Sequence, residues 1–252
     1  VSTRPEADLG AVAGGVTLPF SVMNAAGSVV TMAELRALAR SRTGAVVLRT
    51  ATVHPFVHPE FRTLHNPGYD KLVPLVRELV EIGERPVIAS VAGGTADEYA
   101  LLARVFSEAG ASAVELDLAE PWVSATLGPF DDLEMLEQIV TRAVLSSSAP
   151  VWVQLPDMPV PYKAVTAILT AAGVSAAVAR NDFTGFERLL LEAETPIDVI
   201  AMGGFWSGYD VTRTLAKGAK AVQVGPTLAD GPQVFDKLER EMRIARGERP
   251  AS

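Results

Sequence analysis

The chain has no cysteine among its 252 residues, which excludes disulfides, thiolate metal sites, iron-sulfur ligation and a cysteine nucleophile within it. It also lacks a basic cluster. Twenty-two Lys and Arg stand against 30 Asp and Glu, giving a net charge of -8 and a pI near 5.0, so nucleic acid is not an expected partner. No apolar run reaches the length of a membrane span, and the opening VSTRPEADLG has no signal-peptide core. The expectation is a cytoplasmic protein with no membrane partner. Low-complexity tracts are absent too, and with 48% hydrophobic residues the chain can bury a large core.

Short β-rich apolar runs alternate with longer stretches of helical periodicity from one end to the other. The strand candidates are PFSVMN, GAVVLRT, RPVIASV, SAVELDL, APVWVQLP, SAAVARN, IDVIAMGG and KAVQVGP. Between them lie amphipathic stretches such as TMAELRALARS, YDKLVPLVRELVEIG and ADEYALLARVFSEAG, and PQVFDKLEREMRIARG closes the chain. Gly83, Gly110 and Gly173 follow helical runs, as C-caps with positive φ would. Eight such repeats in about 230 residues predict an α/β fold, a (β/α)8 TIM barrel forming one domain over residues 1–252. A doubly wound open sheet is the weaker alternative. Residues 1–19, with Gly14-Gly15 between two β-like runs, predict an N-terminal hairpin at the barrel bottom.

Barrel active sites sit where strands end and βα loops begin. The suspects are therefore Asn24, Arg49, Asp117, Gln154, Arg180, Met202 and Gly225. AMGGFWSGYD and VQVGPT follow the last two strands, where glycine amides and a helix N-terminus suit a phosphate. In VELDLAEPWV, Glu115 and Asp117 share one face of the fourth strand by its period of two, and Glu120 follows in the loop. Buried carboxylates need partners, and Arg49 is the candidate for Asp117, as ion pair or as fellow substrate contact. Glu120, with Trp122 as apolar neighbour, suits a general base, and a solvated loop acid is the plainer reading. Arg180 meets an anionic substrate or caps the next helix. His54, His58 and His65 cluster, but the two His-Pro steps in HPFVHPEF hold the backbone extended, and no metal site is expected.

In their order along the chain, VMNAAGS, GAVVLRT, LHNPGYDKLV, PVIASVAGGTADEYALLARVFSEAGASAVELDLAEPWV, PVWVQLP, IDVIAMGGFWSGYD and GAKAVQVGPTLADGPQVFDKLERE resemble the dihydroorotate dehydrogenase family. These are flavin barrels that oxidise dihydroorotate to orotate in pyrimidine synthesis. The resemblance implies FMN as cofactor, held by Ala25, Ala26, Gly27, Thr50, Gly203, Gly204 and Gly225, and it implies a small anionic substrate and a homodimer. It also marks departures. The family's strand-4 motif of Asn, base, Pro and Asn reads Asp117, Glu120, Pro121 and Trp122 here. The lysine beside the flavin ring is Gln154, the strand-2 lysine is Arg49, and Pro226 stands where a Thr is usual, with Thr227 next to it. Replacing a lysine by a neutral amide removes a cation that stabilises reduced flavin. The resemblance thus implies an oxidoreductase on dihydroorotate or a related CH-CH substrate, with Glu120, Asp117 and Arg49 as catalytic candidates. The alternatives are a non-redox lyase or isomerase using Glu120 and Asp117, or a catalytically silent flavin- or phosphate-binding homologue.

Overall fold

The computed structural model describes residues 8–29, 31–55, 66–119, 132–156, 160–181, 185–192, 196–225, 228 and 231–248. Two short strands, β1 (Ala11–Ala13) and β2 (Val16–Leu18), pair antiparallel across Gly14-Gly15. Strands and helices then alternate: β3 (Val22–Asn24), α1 (Met32–Ala39), β4 (Val46–Val47), α2 (Tyr69–Ile82), β5 (Val87–Val91), α3 (Ala96–Glu108), β6 (Ala113–Asp117), α4 (Leu133–Ser146) and β7 (Val151–Gln154). The remainder is α5 (Tyr162–Ala172), β8 (Ala176–Arg180), α6 (Phe186–Glu192), β9 (Asp198–Gly203), α7 (Gly208–Ala216), β10 (Ala221–Val224) and α8 (Val234–Ala245). Among the described residues no helix is long and apolar enough to cross a membrane.

Local chemistry explains the helix limits. Thr31 caps α1 in a reciprocal capping box with Glu34, and Thr95, Asp132 and Ser207 accept from the first-turn amides of α3, α4 and α7. Gly83 and Gly173 close α2 and α5 in the left-handed conformation, at φ 69° and 83°. Gly110 sits one residue beyond Ala109, which closes α3.

The eight long-chain strands are all parallel, in the order β3-β10-β9-β8-β7-β6-β5-β4. The two ends of that sheet meet, so the fold is a (β/α)8 barrel and not an open sheet. At the seam Gly44 N–H donates to the Val22 carbonyl at 2.7 Å. Beyond that rung the Asn24 side chain takes over: its Oδ1 accepts from Val47 N–H at 2.9 Å and its Nδ2 donates to the Val47 carbonyl at 2.7 Å. A primary amide offers the same donor and acceptor pair as a peptide group, so it substitutes for a backbone rung where the short β4 runs out.

Alternation along the strands divides the core in two. Met23, Ala45, Val47, Ile88, Ala113, Trp152, Ala176, Val178, Ile200 and Ala221 fill the barrel interior together with Ala13, Val16 and Leu18 of the hairpin. A larger cluster lies between strands and helices, including Leu38, Val76, Leu102, Ile139, Val165 and Phe235. The hairpin packs against the barrel interior at the end where the strands begin. Trp152 Nε1 donates to the Gly14 carbonyl at 2.9 Å, and Gly14 N–H donates to Asp198 Oδ2 at 2.9 Å at the start of β9.

Candidate functional site

The C-terminal ends of the strands carry the polar residues, and hydrogen bonds sort them into two groups. The first spans β4, β5 and β6. Thr50 Oγ1 donates to Asp117 Oδ2 at 2.8 Å and lies 3.1 Å from Ser90 Oγ, while Ala119 N–H donates to Asp117 Oδ1 at 3.1 Å. Tyr99 Oη donates to the Asp117 carbonyl at 3.1 Å, and Asn66 Nδ2 to the Thr50 carbonyl. Asp117 is buried and held from both oxygens, so its carboxylate has a fixed direction. Arg49, half-buried at the end of β4, precedes Thr50.

The second group spans β3, β10 and β9, which are neighbours in the ring. Ala25 N–H donates to the Val224 carbonyl at 2.8 Å, and Gly225 N–H to the Gly203 carbonyl at 3.3 Å. The expected cradle residues Ala25, Gly203 and Gly225 thus come together on one rim, with Ala26 and Gly27 in the turn after β3 and Gly204 after β9.

What surrounds each glycine separates packing from access. A Cβ on Gly44 would collide with the Phe20 carbonyl, and one on Gly208 with the backbone of Leu238 and Met242. Those glycines let elements approach. A Cβ on Gly27 would meet nothing within 4 Å, and one on Gly225 only the Ala25 Cβ at 3.9 Å. At Gly27 the left-handed backbone, φ 71°, accounts for glycine, whereas at Gly225 neither packing among the described residues nor φ does, and the backbone there stays open to a ligand.

Gln154, the last residue of β7, stands between the groups and pairs in register with Asp117. Its Oε1 is buried without a partner, and its amide nitrogen bonds to no described residue. Below the rim, Glu115 is fully buried and accepts from Gln223 Nε2 at 2.6 Å. Burial pushes the Glu115 carboxyl up to about 8; the Gln223 bond opposes that rise and the Asp117 charge adds to it.

Several sequence expectations acquire places here. Asp117 and Glu115 do share the interior face, and Gln154 stands at the mouth. Thr50 spends its hydroxyl on Asp117 and Ser90. Asn24, a strand-end suspect, serves the barrel seam. Glu120, Thr227, Trp122, His58 and His65 lie outside the described residues, and among the described residues no cluster of His, Asp or Glu forms a metal site. Sequence reading missed Ser90, Asn66, Tyr99 and Gln223. Only Gln223, a lone amide within the apolar strand AVQV, carried a visible signal. A cavity of about 340 Å³ lies at the opposite end, beside Pro19, Phe20 and Arg85. Its arginines are engaged: Arg42 and Arg243 on Glu239, Arg85 on the Ser41 and Glu84 carbonyls.

Comparison with known proteins points one way. No family model matches the chain. The catalytic subunit of dihydroorotate dehydrogenase B (NAD(+)) of Listeria welshimeri is 27% identical over 217 residues, covering 73% of this chain and 71% of that protein. A putative dihydroorotate dehydrogenase A (fumarate) of Aeropyrum pernix is 29% identical, covering 71% and 69%. The Geobacillus kaustophilus dihydroorotate dehydrogenase B catalytic subunit is 27% identical over 250 residues, covering 77% and 80%. Among solved structures, a dihydroorotate dehydrogenase of Eimeria tenella in complex with ferulenol superposes with a TM-score of 0.80 over 96% of this chain and 86% of that one. At 14% identity that likeness establishes the fold.

Proposed function

We propose, from the premise that this chain is a divergent member of the dihydroorotate dehydrogenase family, that it is an FMN-dependent oxidoreductase acting on a CH-CH bond of a small anionic substrate. The observation that carries this reading is the open cradle, in which Ala25, Gly203 and Gly225 are brought together and, among the described residues, a side chain added at Gly27 would meet nothing within 4 Å and one at Gly225 only the Ala25 Cβ at 3.9 Å. The Ala25 and Gly225 amides are engaged by the Val224 and Gly203 carbonyls, so the donors that suit a phosphate there are the amides of Ala26, Gly27 and Gly204, which donate to no described residue. Gln154 adds a second point of fit, because its buried Oε1 has no hydrogen-bond partner among the described residues, which leaves the side-chain amide available to a flavin ring.

When bound, FMN supplies the two-electron acceptor for a hydride leaving a substrate carbon. The chain's own contribution is orientation and charge. Thr50 and Ala119 hold the Asp117 carboxylate in one direction, so that it can accept a substrate N–H without reorganising. Arg49 provides a cation for an anionic substrate group. Glu120 is the proposed base for the neighbouring carbon proton, on its position in the sequence where the family places one. Gln154 gives a hydrogen bond where a lysine would give a charge, so the reduced flavin gains less stabilisation.

Reconstitution tests the reading directly. Protein mixed with FMN and desalted should be yellow with quenched flavin fluorescence; colourless protein would refute it and favour a non-redox barrel enzyme. Anaerobic dihydroorotate should bleach the bound flavin if the family substrate is retained. Yellow protein that dihydroorotate leaves unbleached would place the activity on another CH-CH substrate. Glu120→Gln should lower turnover by about 10²-fold or more while FMN remains bound.

A further inference from the structure

Among the described residues one side-chain hydrogen bond spans the barrel interior, from Gln223 Nε2 to Glu115 Oε2 at 2.6 Å, and both residues are fully buried. Strands β6 and β10 stand four places apart in the ring of eight, so the bond joins opposite walls. Each end lies two residues below a site position on the same face of its strand: Glu115 below Asp117, and Gln223 below Gly225. In register with Glu115 are Ser90 and Trp152, and with Gln223 Met23 and Met202, so that beside the pair the one polar neighbour in register is the uncharged Ser90. An apolar pair of similar volume would hold a barrel together at least as well as a buried carboxyl and amide. Stability alone therefore does not account for the pair, whereas a fixed separation between the two walls does.

We propose that Glu115 and Gln223 form a cross-barrel strut that sets the glycine cradle in register with Asp117, which makes them positioning residues for the cofactor. The inference rests on the FMN reading. Glu115 is held in its uncharged form by burial, whose cost to the charge exceeds what the Gln223 bond returns to it. Glu115 Oε1, Gln223 Oε1 and Gln154 Oε1 are all buried and none has a donor, and a proton on Glu115 Oε1 turns one of these acceptors into a donor. Asp117 is the charged group acting on Glu115 from its own strand. From the other strands, Arg49 and Arg180 stand at the mouth ends of β4 and β8, Asp198 stands at the opposite end on β9, and the interior positions between carry no charge. Ionising Glu115 places a second negative charge on the face that carries Asp117, with no cation among the described interior residues to receive it; the Gln223 bond favours that charge but does not offset its burial, and admitting water between the walls relieves the cost at the expense of the strut.

The test uses FMN affinity, read by flavin fluorescence quenching, with amide hydrogen exchange as a readout independent of cofactor. Wild-type affinity should fall about tenfold between about pH 7 and about pH 9.5, and Glu115→Gln should bind at pH 7 within about threefold of wild type and lose that fall. Gln223→Leu should bind about tenfold more weakly than wild type at about pH 7 and about equally at about pH 9.5, where wild type has lost the strut, and should raise exchange at Ala25, Ala26, Gly27 and Gly225 at about pH 7, leaving α3 and α4 as in wild type. A pH-dependent loss that persists in Glu115→Gln, or wild-type affinity and exchange in Gln223→Leu at about pH 7, would overturn the strut. If Gln223→Leu does not fold, wild type and Glu115→Gln compared at high pH decide by the same two readouts. Wild-type protein that binds no FMN at either pH refutes the cofactor reading, and the exchange comparison then decides the strut by itself.

Discussion

Two glycines show how differently one residue type is used. Gly44 donates its N–H to Val22 at the barrel seam, and a Cβ there would run into the Phe20 carbonyl. Gly44→Ala must push β3 and β4 apart, so it should cost about 3 kcal/mol in urea unfolding. Gly225 carries no such constraint. Gly225→Ala should change stability by less than about 0.5 kcal/mol and yet weaken FMN about tenfold in a fluorescence titration, because the new methyl occupies the space a phosphate needs. Equal FMN affinity in Gly225→Ala would move the phosphate site elsewhere. Asn24 is the third case at this scale. Removing its amide leaves Val47 N–H and C=O buried without partners, so Asn24→Ala should cost about 2–4 kcal/mol, seen as a lowered midpoint in urea unfolding.

At the scale of the element, α2 tests how far periodicity outweighs composition. Its apolar residues Leu72, Val73, Val76 and Leu79 are buried at helical spacing, and the helix runs unbroken from Tyr69 to Ile82 although Pro74 lies inside it. Proline there withholds the N–H that the Asp70 carbonyl would accept. The side chain of Pro74 is exposed, so no packing is lost in its removal. Pro74→Ala should therefore stabilise the protein by about 1–2 kcal/mol after the greater freedom of the unfolded chain is allowed for, seen as a rise of a few degrees in Tm. An unchanged or lowered Tm would mean that Asp70 finds another donor. The same periodicity made the architecture legible. Short continuous apolar runs, which become strands buried on both faces, alternate eight times with helices of period 3.6, and Gly83 and Gly173 close their helices where the pattern stops. The seam was not legible, because β4 is only two residues long and its partner is an asparagine side chain, which no periodic pattern encodes.

For the molecule as a whole, the site was legible only where the strand period dictates direction. Glu115 and Asp117 could be placed on one interior face because they are two residues apart. That Asp117 would be held by Thr50 and Tyr99, with Ser90 behind Thr50, and that Glu115 would meet Gln223 across the barrel, depends on how the strands are arranged in the ring, which in the second case joins residues 108 positions apart. This arrangement gives the fold a measurable pH signature. A carboxyl raised from 4.5 to about 8 is neutral in the folded barrel and ionised in the unfolded chain through that interval. Its contribution is complete below the unfolded value, declines as pH rises toward about 8, and is gone above it. The slope approaches 1.36 kcal/mol per pH unit, on the order of 4–5 kcal/mol over the whole interval. Other carboxylates titrate in the same range, so the informative quantity is the difference between wild type and Glu115→Gln, whose amide offers Gln223 a donor and an acceptor at every pH. Urea unfolding at about pH 5, 6, 7 and 8 should show Glu115→Gln gaining on wild type by about 1 kcal/mol per unit. A constant difference across that range would mean that Glu115 is ionised in the folded barrel, and that another group supplies its counter-charge.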